Sequence, residues 1–178
     1  MSTLIDSSRA FAETADQLID ARLRRGDTTT FAVTTRSMSP TLQPGDRLTA
    51  RGARAEEARV GDILLVKTQG AWLVHRLIER RIENGALLWV TKGDNCVEPD
   101  PAWHAAQMSG VVESVERGGR RLNLTSRRAR LFNVWITTVS RAQWLAWRTR
   151  PGFVRRSALF CSNVLLRVGT LAARWTAG

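Results

Sequence analysis

Three short segments hold the residues that could do covalent chemistry. Ser37 lies in Thr35-Arg36-Ser37-Met38-Ser39-Pro40-Thr41-Leu42, which closes on Pro44-Gly45-Asp46. His75-Arg76 sits inside the apolar run Leu73 to Ile78, and Lys92-Gly93-Asp94-Asn95 follows, with Asp100 further on. A serine hydroxyl must shed its proton as it attacks, so it needs a base within hydrogen-bond reach and a third group to orient that base. Ser37, His75 and either Asp94 or Asp100 supply one of each. Each segment alone has a plainer explanation. A serine before a turn commonly bonds only the turn, a histidine in register with Leu73 and Leu77 is commonly a core residue, and Gly-Asp-Asn makes a turn by itself. Their joint occurrence is what points to acyl transfer. His104, in Asp100-Pro-Ala-Trp-His104, has no partner pattern and reads as a loop residue.

The elements that must position these groups are mostly strands. Residues 31–35, 46–51, 62–67, 72–78, 87–91 and 110–116 are short β candidates, separated by turns at Pro44-Gly45, Gln69-Gly70, Asn84-Gly85 and Gly118-Gly119. Asn-Gly between apolar runs is a strong hairpin signal. The expected fold is mainly β, an antiparallel sheet or partly open barrel over residues 28–125. An amphipathic helix lies ahead of it within residues 1–27, with Leu4, Phe11, Ala15, Leu18, Ile19 and Leu23 on one face. Residues 126–178 read as a helical pair: Arg127 to Arg148, a break at Pro151-Gly152, then Phe153 to about Trp175.

Charge divides the chain. Net charge is +11, yet from Arg117 to Gly178 there are thirteen Arg and no Asp, Glu or Lys, so the excess lies wholly in the C-terminal third. Four of the seven Trp fall there as well (Trp135, Trp144, Trp147 and Trp175). Helices that pair Arg with Trp, Leu and Phe bind anionic membrane interfaces, so residues 127–178 are a candidate membrane-surface element; a folded cap or a protein-partner surface is the competing expectation. No reader motif accompanies the charge, which disfavours nucleic acid. Residues 1–25 carry four acidic residues and no apolar core of a secretory signal, and no run of apolar residues is long enough to span a bilayer. The expected place is the cytoplasm or the inner membrane face. Cys96 and Cys161 read as free thiols, and neither a metal site nor a cofactor is expected.

The order of the three segments resembles the signal-peptidase and LexA-like serine peptidases. Ser37 with Met38, Pro40 and Gly45-Asp46, Gly61-Asp62-Ile63 ahead of His75-Arg76, and Asp94 with Asp100 carry the resemblance, over roughly residues 30–116. Most bacterial members place lysine at the base position and the endoplasmic-reticulum type places histidine, so this chain is most similar to the latter. The resemblance implies a LexA/signal-peptidase-like β domain with Ser37 as nucleophile and His75 as general base. Asp94 and Asp100 are then equal candidates to orient the histidine. It further implies an oxyanion site from the Ser37 N–H and the Thr35 hydroxyl, and substrate contacts along Phe31, Val33, Thr35, Arg36 and Met38. The substrate would be a peptide or precursor protein bound as an extended strand and cut after small residues. Arg36 stands where the family usually has glycine. The competing expectations are a LexA-like self-processing regulator, whose relatives use a lysine base, and a non-catalytic peptide- or membrane-binding module.

Overall fold

The computed structural model describes residues 14–68 and 71–149. They form a mixed α/β domain, an open antiparallel sheet flanked by two helices. Helix α1 covers residues 14–24. The strands are β1 (Thr28–Ala32), β2 (Arg47–Gly52), β3 (Ile63–Thr68), β4 (Ala71–Glu83), β5 (Ala86–Lys92), β6 (Trp103–His104), β7 (Met108–Arg117) and β8 (Arg120–Asn123), and helix α2 is Arg127–Thr149. Their order across the sheet is β1-β2-β7-β3-β4-β5-β6. One edge of β7 pairs with β2; the other pairs first with β3 and then with β8.

β3 lies at the centre and is buried on both faces, which suits its unbroken Ile63-Leu-Leu-Val66 run. Ile63 and Leu65 pack with Leu23 of α1, Met38, Leu42, Leu48, Val112 and Val115. Leu64 and Val66 turn the other way, onto Leu77, Trp89 and Val111. β4 and β5 form a hairpin whose tip is Asn84-Gly85, both at positive φ (51° and 77°). That turn matches the strand twist and accounts for the Asn-Gly pair. A bulge between Leu77 and Glu79 resets the register, so that Arg76 faces Lys92 and Leu77 faces Thr91.

Several expectations change. The first strand pairs only to Ala32, although Val33 still exchanges backbone hydrogen bonds with Asp46 and Gly45. His104 is not a loop residue but pairs with Leu88 in β6. The expected turn at Gln69-Gly70, residues 2–13 of the first helix, the second tail helix and Cys161 lie outside the described residues. Among the described residues, no helix is long and apolar enough to cross a membrane.

Candidate active site

His75 leaves β4 on the face shared with Leu73 and Leu77, as alternation requires, and is buried there. Its Nδ1 lies 2.7 Å from Asp100 Oδ2. The same carboxylate oxygen is 2.6 Å from Thr91 Oγ1, and Thr91 Oγ1 is 2.8 Å from Trp103 Nε1. An indole nitrogen only donates. Thr91 Oγ1 therefore accepts from Trp103 and gives its own proton to Asp100. The Asp100 carboxylate then accepts from Thr91 and from His75 alike, which places a proton on His75 Nδ1, so that in the neutral imidazole Nε2 is the nitrogen that carries the lone pair. A backbone bond from Asp100 N–H to the Thr91 carbonyl (2.8 Å) fixes the carboxylate beside β5.

His75 Nε2 faces Gly93. A Cβ built on Gly93 would lie 3.0 Å from Nε2, 2.7 Å from the Ser37 carbonyl oxygen and 2.6 Å from Cys96 Sγ. Only glycine lets the imidazole, the serine segment and the loop after β5 come together. The Ser37 carbonyl also accepts from the Asn95 N–H at 2.7 Å, which clips the serine segment to that loop. Ser37 is partly exposed and its Oγ lies 3.3 Å from Thr35 Oγ1. Among the described residues no hydrogen bond joins Ser37 Oγ to His75, and the Ser37 N–H bonds to no other described residue. That N–H is thus available as a donor next to Ser37 Oγ, with the Thr35 hydroxyl alongside.

Asp94 does something else. It is buried, and both its oxygens are taken by Arg76, with Nε to Oδ1 and Nη2 to Oδ2 each at 2.8 Å; the Thr41 hydroxyl donates to Oδ2 as well. The Arg76 Nη1 group completes its bonding on the Gly61 carbonyl (2.7 Å) and Asn133 Oδ1 (2.9 Å). A guanidinium this enclosed is tolerated only because its donors are matched. Of the two carboxylates the sequence offered equally, Asp100 meets the histidine and Asp94 neutralises Arg76. By joining β4, the turn after Ser37, the Gly93 loop and α2, the Arg76–Asp94 pair holds the site's parts in place.

The residues expected along a substrate strand separate into two groups. Among the described residues β1 ends the sheet, so one edge of the segment leading to Ser37 has no described strand beside it. Thr35 and Arg36 are exposed. Phe31 and Val33 are half-buried against the core, where Phe31 meets Trp72 with ring centroids 5.8 Å apart. Met38 is a correction: at 2% exposure it is a core side chain under the serine turn and offers no surface to a peptide.

Sequence reasoning missed Thr91 and Trp103, which orient Asp100, and Lys92, whose signal was a charge closing a mainly apolar strand. Lys92 is fully buried and gives hydrogen bonds to Ser140 Oγ (2.8 Å) and Gln143 Oε1 (3.4 Å) of α2. Burial holds its ammonium below the usual lysine range, an effect the Asp94 charge opposes. Burial likewise pushes the Cys96 thiol up, partly offset by Lys92. A thiol held protonated is a weaker nucleophile than its thiolate. Among the described residues, no cluster of three or more His, Cys, Asp or Glu could hold a metal.

Neither the protein-family models nor the curated proteins contain a match to this chain.

Proposed function

We propose that this protein is a serine endopeptidase of the signal-peptidase type, built on a LexA/signal-peptidase-like β domain, that cuts a peptide or precursor protein after small residues. The observation that carries this reading is the directed chain from Trp103 through Thr91 and Asp100 to His75 Nδ1, which turns Nε2 toward Gly93 and the clipped Ser37 segment. In this reading an extended peptide adds to the free edge before Ser37 through main-chain hydrogen bonds. Ser37 Oγ attacks the scissile carbonyl and its proton passes to His75 Nε2, while Asp100 stabilises the imidazolium. The Ser37 N–H and the Thr35 hydroxyl receive the oxyanion. His75 then protonates the leaving amine, and a water activated by the same nitrogen releases the acyl group from Ser37. No cofactor enters these steps. The cytoplasm or the inner membrane face is the proposed site of action.

A second reading, a peptide-binding module without catalysis, draws on the missing hydrogen bond between Ser37 Oγ and His75. Turnover of peptides with Ala before the cut and one residue earlier distinguishes the two. The peptidase reading expects cleavage by the unaltered protein and none by Ser37→Ala or His75→Ala. Tight peptide binding with no cleavage by any of the three supports the module.

A further inference from the structure

The two faces of α2 are the reverse of what a surface helix presents. A helix on a globular domain turns its apolar stripe inward and its polar side outward. Among the described side chains of α2 the buried ones are Asn133, Ile136, Thr137, Ser140 and Gln143, four of them polar, while Leu131, Val134 and Trp135 point out, with Leu131 74% and Val134 57% exposed. The cause lies in the site. Asn133 accepts from Arg76, and Ser140 and Gln143 accept from Lys92, so the polar positions serve the two buried cations of β4 and β5. The apolar residues are left on the outer face, where Trp135 stacks on Phe132 at 6.1 Å.

We propose that the outer face of α2 is a docking surface for an anionic lipid bilayer. The distribution of charge selects this occupant. Arg127, Arg130 and Arg141 are exposed on or beside the apolar patch, and no acidic residue occurs from Arg117 to the end of the chain. A patch of Leu, Val and Trp flanked by arginines suits burial at the headgroup boundary, with tryptophan at the interface and guanidinium groups on lipid phosphates. The helix then works from both sides: its inner polar row holds the cations next to His75 and Gly93, and its outer row holds the bilayer. A peptidase docked in this way meets substrates that are themselves at the membrane surface. The docking does not depend on the chemistry of Ser37.

The test is co-sedimentation of the full chain with vesicles of phosphatidylcholine alone and of phosphatidylcholine containing about a third phosphatidylglycerol. An arginine near an anionic surface strengthens binding roughly fivefold, so three give a preference for anionic vesicles on the order of 100-fold, reduced by high salt. Leu131→Glu combined with Val134→Glu should weaken binding at least about tenfold, because carboxylates then face the anionic lipid. Both positions are exposed, so the fold should persist, and an unchanged melting temperature verifies it. Arg127→Gln with Arg130→Gln and Arg141→Gln should remove the anionic preference, and Ser37→Ala should bind as the unaltered protein does. Three results overturn the proposal: no binding to anionic vesicles, equal binding by the Leu131/Val134 variant, or a dimer in solution that this variant dissolves, which would make the face a contact between copies.

Discussion

Exchanging the two carboxylates of the site one at a time should produce opposite phenotypes. In Asp100→Asn the side chain keeps its shape and loses its charge. Thr91 and His75 both meet the same oxygen of Asp100, and Thr91 must donate because Trp103 donates to it. The amide should therefore turn its oxygen to that point, preserving the Nδ1–H tautomer. What is lost is the difference between a charge-assisted and a neutral hydrogen bond to the imidazolium, about 1–2 kcal/mol. That corresponds to a fall in kcat of roughly 5–30-fold with little change in stability. In Asp94→Asn the enclosed Arg76 loses the carboxylate that binds two of its nitrogens. Leaving a buried charge uncompensated costs about 3 kcal/mol or more, which for a chain of this size lowers Tm by roughly 10 °C. Turnover per folded molecule should stay within a few-fold of the unaltered protein when assayed well below that Tm. The assays are peptide turnover under saturating substrate and thermal melts followed by circular dichroism. If Asp94→Asn abolishes kcat at unchanged Tm while Asp100→Asn is silent, the division of roles drawn from these hydrogen bonds is wrong.

Other perturbations bear on the same geometry. Gly93→Ala puts a methyl group against the Ser37 carbonyl and His75 Nε2; a loss of about 1–3 kcal/mol in thermal unfolding and at least tenfold in turnover is expected. Normal activity in that variant would mean that Ser37 and His75 do not meet at this point. Since burial raises the Cys96 thiol above its usual range, its alkylation by iodoacetamide near about pH 8.5, measured in a Cys161→Ser background, should be at least ~10-fold slower than that of a free thiol. A rate equal to the free thiol's would contradict the burial. Lys92 is held low by burial, so the unfolded chain binds its proton more readily than the folded one. Its contribution to stability must therefore rise with pH, from the lowered folded value up to the unfolded one near about 10.5. Lys92→Met should remove that rise when Tm values at about pH 8 and pH 10 are compared with those of the unaltered protein.

Strands with a clear local signal were legible in the sequence. β3 announces itself by an apolar run too short for a helix, and β4 and β5 by apolar residues on either side of Asn84-Gly85. β6 has only Trp103 and His104, too few residues to show a period, and β8 is Arg-Arg-Leu-Asn, with one apolar residue to mark a face. Both exist because a neighbouring strand offers an edge, which no local pattern records. In the site, the types of Ser37, His75 and the aspartates could be read directly. Which aspartate meets the histidine could not, because the bulge after Leu77 and the path of the loop after β5 decide it. Met38 was misplaced for a similar reason: its neighbours Ser37 and Ser39 are partly exposed, but the turn folds its side chain into the core with Leu42 and Ile63. The polar row of α2 makes sense only once Arg76 and Lys92 are known to be buried opposite each other.

The most direct test of the central claim is to trap the covalent intermediate. The protein is mixed with an activated ester of a peptide ending in Ala, quenched in acid within the first turnovers, digested and mapped by mass spectrometry. The added acyl mass should appear on Ser37, accumulating more slowly in Asp100→Asn and absent in His75→Ala. An active protein that carries the acyl group on Cys96, or turns over the ester with no adduct on Ser37, contradicts the claim.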